Sequence, residues 1–144
     1  MSFAQGHPVI ATARRVELLE PLDVAARVSL DVTDDASVAA CVAAAGEIDV
    51  LVNNAGISET GPLETFPHHV LERMFETNVF GPMRLVRAVV PAMRERGHGV
   101  VVNVTSVEGR VAAPLSGAYC ATKHALEALS ESLAFEVGHF GVRV

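Results

Sequence analysis

Ile48-Asp49-Val50-Leu51-Val52-Asn53-Asn54-Ala55-Gly56 is the stretch that decides the fold of this chain. Its first five residues hold Ile48, Val50 and Val52, all β-branched, and Leu51, so the run is short, apolar and bounded by turn formers, which reads as a strand. The near-continuous apolar character predicts burial on both faces, as in a parallel sheet covered by helices. The same signature recurs on either side of it. Residues 9–13, 28–30 and 100–104 are predicted strands, and 142–144 opens another. Between them, 34–45 reads as a helix, and 67–76 followed by 78–96 reads as a broken pair of helices. Pro82 and Pro91 fall inside the second of that pair, where each removes a backbone donor and should bend or restart it, and Gly97 and Gly99 should end it. Residues 118–137 carry Leu126, Leu129, Leu133 and Val137 at spacings of three, four and four, one apolar helical stripe. Short strands alternating with helices predict an α/β domain with a parallel sheet.

At 144 residues, half of them apolar, the chain has material for a single domain, 1–144. Seventeen acidic residues against eleven basic ones leave a net charge of −6, with no basic block, which argues against nucleic acid and anionic membranes as partners. Glu47 and Asp49 interrupt the most apolar neighbourhood, so no membrane span is expected, and with no signal-peptide pattern a cytoplasmic protein is expected. Cys41 and Cys120 have no C-x-x-C spacing and are expected to be reduced thiols. The six histidines show no ligand spacing, and no metal is expected.

Chemistry is concentrated in the last helix. Tyr119 and Lys123 are four residues apart and project from one face, one turn from each other. A phenol is a poor base at neutral pH, and moving its pKa from ~10 to ~7 requires about 4 kcal/mol in favour of the phenolate. An ammonium about 4 Å away supplies on the order of 4 kcal/mol at an effective dielectric of ~20, but only about 1 in bulk water, so such a pair works where water is excluded. Two helix residues at this spacing are common in any chain. Here Ser106 lies thirteen residues upstream, just past a predicted buried strand, where open parallel sheets place their ligands. It could polarise a substrate oxygen, or simply cap a turn.

Asn53-Asn54-Ala55-Gly56 after a strand, Thr77-Asn78-Val79 opening a helix, Ser106, and Tyr119-Cys120-Ala121-Thr122-Lys123 together resemble the short-chain dehydrogenase/reductases, from residue 7 to the end. Ser106 to Arg110 with Ser116-Gly117-Ala118-Tyr119 looks most like the hydroxysteroid and retinol dehydrogenase-like branches. The resemblance implies a partial Rossmann-type, doubly wound fold and hydride transfer between a nicotinamide cofactor and a small carbonyl or alcohol. It implies Tyr119 as general acid/base, Lys123 as its partner and a ligand of the nicotinamide ribose, Ser106 on the substrate oxygen, and Asn78 anchoring a relay water. Asn53, Ala55 and Gly56 match the segment that lines the cofactor. Asp31, with Val32, matches the residue that contacts adenine, although Asp31 could equally be a neighbour of a helix N-terminus. Arg14 and Arg15 follow the strand at 9–13, where the fold distinguishes a free ribose hydroxyl from a 2′-phosphate, and they favour NADP over NAD. The two long helices are the expected surface for a homo-oligomer, as a dimer.

The family's opening strand and T-G-x-x-x-G-x-G turn have no counterpart here. Met1 to His7 looks like the tail of the helix that would follow them, and Val144 falls where the sixth strand begins. The missing strand would lie between 9–13 and 48–52, so the ladder is expected in two parts. The 144-residue chain by itself is expected to be marginally stable, prone to associate and poor at binding NADPH. A non-catalytic fragment, or an interaction module using its long helices, is the alternative reading.

Overall fold

The computed structural model describes residues 6–144, which form two compact units. The reading of Met1 to His7 as a helix tail falls, for Met1 to Gln5, outside the described residues.

In residues 6–47, β1 (Ile10–Ala13) pairs in parallel with β2 (Ala26–Ser29), Ile10 opposite Ala26 and Ala13 opposite Ser29. The predicted strand at 28–30 is therefore displaced towards the N-terminus. Pairing with β1 rather than β-branched content sets its start, and Leu30 still donates to the Ala13 carbonyl at 3.0 Å. The connection holds only a 3₁₀ turn, Val16–Leu19, and is gathered by Arg27, which donates to the carbonyls of Leu19 (2.8 Å), Glu20 (3.2 Å) and Leu22. Helix α1 (Asp35–Ala45) begins where the Asp34 carboxylate accepts from the backbone of Ala36 and Ser37, at 3.2 and 3.1 Å. Leu30, Val32, Val38 and Cys41 are the buried apolar residues of this unit.

In Ile48–Val144, β3 (Val50–Asn53), β4 (Gly99–Asn103) and β5 (Val142–Arg143) form a parallel sheet in the order β3-β4-β5. The strands thus pair in two ladders, as the sequence predicts. Burial on both faces is not observed. Leu51, Val101 and Val142 are buried, while Val50, Val52 and Val102 are 53, 55 and 42% exposed. The cause lies in the helices, α2 (His68–Phe75), α3 (Gly81–Arg96) and α4 (Gly117–Val137). Met93 of α3 lies where a Cβ on Gly99 would fall, and Ser130 of α4 bonds Asn103, so both helices lie on the face of β4 shared by Gly99, Val101 and Asn103.

The predicted break between two helices is absent. Residues 68–96 run continuously through a π-helical turn, Glu76–Phe80, so Thr77-Asn78-Val79 lies inside a helix instead of opening one. Pro82 explains the turn. It has no N–H for the carbonyl of Asn78, and the wider turn, in which Gly81 N–H reaches back to Glu76, gives its ring room. Helix α3 continues through Pro91 and ends at Gly97, which is left-handed at φ 77°, while Gly99 already belongs to β4. On α4, Leu126, Leu133 and Val137 are buried and Leu129 is half-buried at the edge of the stripe. No helix among the described residues is long and apolar enough to cross a membrane, and both cysteines are buried and free.

Candidate active site

Helix α4 starts after Leu115, the one described non-glycine residue with positive φ, 65°. That strained residue turns the chain sharply into the helix two turns ahead of Lys123. From the first turn of α4, half-buried Tyr119 and buried Lys123 project one turn apart, with the Lys123 ammonium nitrogen 5.7 Å from the centre of the tyrosine ring. Lys123 is only 5% exposed, and Nζ donates to the carbonyl of Val104, just past β4, at 2.8 Å. Burial pushes its pKa below that of an ordinary lysine.

Beneath this pair lies a fully buried polar knot. Asn78 Oδ1 accepts from Ile57 N at 2.8 Å, and its amide nitrogen donates to Ile57 O (2.8 Å) and to the Thr122 hydroxyl (3.1 Å). Thr122 in turn donates to the Tyr119 carbonyl at 2.8 Å. Both amide hydrogens of Asn78 are thereby used, and its Oδ1 already accepts one bond. Gly56 sits against the same knot. A Cβ there would lie 3.4 Å from Asn78 Oδ1 and 3.8 Å from Lys123 Nζ. Asn78, Thr122, Lys123 and Gly56 are therefore brought together.

Ser106 follows β4, and its hydroxyl accepts from Glu108 N at 3.2 Å, capping the 3₁₀ turn Val107–Gly109. The turn-capping reading is thus realised. It does not compete with a chemical role, because a hydroxyl that accepts one bond keeps its own hydrogen to donate. Asn53 serves the sheet. Its amide donates to Asn103 Oδ1 at 2.8 Å, Asn103 donates to Ser130 at 2.8 Å, and Ser130 reaches the Leu126 carbonyl at 2.6 Å, tying β3 and β4 to α4. Its own Oδ1 is buried without a partner among the described residues. Ala55 is exposed.

The remaining candidates belong to residues 6–47. Arg14 and Arg15 are exposed just past β1. Asp31 does neighbour a helix start, and its Oδ1 accepts from Thr33 N (2.9 Å) and the Thr33 hydroxyl (2.7 Å), which with Arg14 hold its carboxyl below the usual range. Val32 is buried. Sequence reasoning missed Thr122, the Val104 carbonyl and the Ile57 backbone. Only Thr122 left a trace, a hydroxyl three residues after Tyr119 on the covered side of the helix.

The short chain dehydrogenase family model matches residues 3–144. The chain is 40% identical to human retinol dehydrogenase 8 over 146 residues, 94% of this chain and 47% of that protein. A short-chain dehydrogenase structure from Streptomyces avermitilis superposes with a TM-score of 0.92 at 48% identity, over 98% of this chain and 55% of that one. A gluconate 5-dehydrogenase from Burkholderia cenocepacia, solved in complex with NADP and tartrate, gives 0.86 at 30% identity, over 95% and 58%. The chain belongs to the short-chain dehydrogenase/reductase family, and its likeness to a retinol dehydrogenase agrees with the branch its motifs resemble. It spans about half the length of the curated relatives it matches.

Proposed function

We propose that the chain carries the catalytic segment of an NADP(H)-dependent oxidoreductase acting on a small carbonyl or alcohol, within one incomplete dinucleotide-binding domain, 1–144. The observation that carries the reading is the buried Lys123 ammonium held one helical turn from Tyr119. That arrangement suits the Tyr119 hydroxyl to take the proton of an alcohol or return it to a developing alkoxide. Ser106 donates its hydroxyl hydrogen to the substrate oxygen. The Asn78 carbonyl holds a water through which the proton leaves.

The residues present fit the cofactor. An ammonium has three donors, and Lys123 uses one on Val104, leaving N–H groups for the diol of the nicotinamide ribose. Asn53, Ala55 and Gly56 form the segment beside it. In residues 6–47, exposed Arg14 and Arg15 suit a 2′-phosphate, and Asp31 with Val32 suits adenine. When bound, the cofactor supplies or accepts the hydride. A homo-oligomer through α3 and α4 is supported by Phe135 of α4, which is 86% exposed.

The test is Tyr119→Phe in the protein that carries this segment, assayed with NADP⁺ against a panel of retinol and simple secondary alcohols. Turnover should fall by at least about 10²-fold, the usual worth of a general acid/base, with the melting temperature unchanged. Parent-like turnover in the variant would overturn the reading.

A further inference from the structure

Ser106 belongs to no regular element long enough to hold it. It sits between the end of β4 and a three-residue turn, yet a hydroxyl that must meet a substrate oxygen has to be placed to within about 0.5 Å. The segment 104–110 is fastened to α4 at several points. Val104 is held by Lys123. Gly109 lies directly on the helix backbone, where a Cβ would come within 3.1 Å of Glu127 Cγ and 3.2 Å of the Lys123 carbonyl. The far flank of the turn then ends on a carboxylate of that helix. Arg110 Nη2 donates to Glu127 Oε2 at 2.7 Å. Glu127 follows Lys123 by one helical turn and Tyr119 by two, and its side chain is 19% exposed. Glu131, one turn further on, is 3.9 Å from Arg110 and 66% exposed, so it is a weak second partner.

We propose that Glu127 is a positioning residue: its carboxylate clips the Arg110 end of the turn after Ser106 to α4 and so sets the Ser106 hydroxyl against Tyr119 and Lys123. The clip rests on the function proposed above for Ser106 and Tyr119. Glu127 meets no reacting atom and acts only through Ser106. The Thr105 side chain first, then the Arg110 guanidinium beside it, hold its carboxyl below the usual carboxylate range, so the clip is ionised at neutral pH.

The experiment compares parent, Glu127→Gln, Glu127→Ala, Ser106→Ala and the Glu127→Ala/Ser106→Ala double variant in the protein that carries this segment. Backbone hydrogen exchange over 107–111 is read beside kcat and KM for the alcohol turned over fastest. Losing charged hydrogen bonds should speed exchange across the turn roughly 10- to 100-fold in Glu127→Ala, and less in Glu127→Gln, with the amides of 119–123 unchanged. A misplaced group should cost about 10- to 100-fold in kcat, with the affinity for NADPH unaltered. The double variant should be no worse than Ser106→Ala, because Glu127 works through that hydroxyl. Parent-like exchange in both Glu127 variants, or a double variant that loses the product of the two single effects, overturns the clip. Exchange decides even where turnover is low. Tyr119→Phe, run alongside, separates the two ideas: its retaining turnover sinks the catalytic reading, whereas a dead Tyr119→Phe with a parent-like Glu127→Ala sinks the clip alone.

Discussion

Residues 6–47 and Ile48–Val144 each build a parallel ladder, but by different means. In the first, neither β1 nor β2 contains a buried residue, the apolar core is Leu30, Val32, Val38 and Cys41, and the loop is gathered by an exposed arginine on three carbonyls. In the second, each strand contributes a buried apolar side chain, and Met74 and Met93 are wholly enclosed. The buried polar residues among those described, Asn53, Asn78, Thr122 and Lys123, all lie in the second. Burying an amide or an ammonium costs free energy unless it is bonded, and even then the surroundings must supply the margin. The buried polar groups, and with them the proposed chemistry, therefore sit where the apolar core is thick enough to carry them.

The largest effect should come from thinning that core. Leu126, 2% exposed on α4, packs one turn after Thr122. Leu126→Ala should cost about 2–5 kcal/mol, read by chemical denaturation, and should speed amide exchange along β4. The half-buried Val28 of β2 should cost less than about 1.5 kcal/mol on truncation to alanine. If the amides of β1 and β2 are as well protected as those of β4 in the parent, the contrast between the two ladders is wrong.

A smaller effect tests what the thinner unit does. Arg14 is exposed beside Asp31, with no core role to lose. Arg14→Asp should weaken NADPH binding by at least about tenfold, equivalent to ~1.4 kcal/mol, and NADH binding much less, because only the former brings a 2′-phosphate to repel. Titration of both cofactors measures it. Equal losses would remove the phosphate from Arg14's account.

How far the sequence carries this comparison depends on range. The β-branched runs around Leu51 and Val101 announce strands because their preference is local. β2 is misplaced because Ala26 and Arg27 pair through the register of β1, a partner some sixteen residues away. The π turn could be anticipated only in part. Pro82 signals a lost donor and reads as a bend or restart inside the second helix, while the break is expected at Thr77; the helix instead runs through both, with Asn78 tied to Ile57, 21 residues upstream. Tyr119 and Lys123 are legible since four residues on a helix fix their relation. Glu127 and Arg110 are not, because the contact exists only once the turn after β4 and α4 are packed. The bare face of Val50, Val52 and Val102 contradicts a pattern that reads as doubly buried, since a strand's composition records the cover it is suited to and α3 and α4 both take the other side.

The smallest effect concerns acid. Asp31 closes its turn by accepting from the Thr33 backbone and hydroxyl, and those bonds, with Arg14, hold its carboxyl below the ordinary value. A carboxylate whose folded pKa lies below its unfolded one stabilises the fold fully above the unfolded value of ~3.9, and that contribution is lost as pH falls through the folded value. Stability of residues 6–47 should thus decline below about pH 4, followed by amide exchange in α1 and β2. Asp31→Asn retains an acceptor for Thr33 but cannot ionise, so it should cost about 0.5–1 kcal/mol at neutral pH, the range of a partly exposed charged contact. It should also flatten the acid decline of this unit while leaving β4 as it was. If the variant keeps the parent's full acid dependence, the titrating group lies elsewhere, and the thin ladder is held by its few apolar contacts and not by this turn.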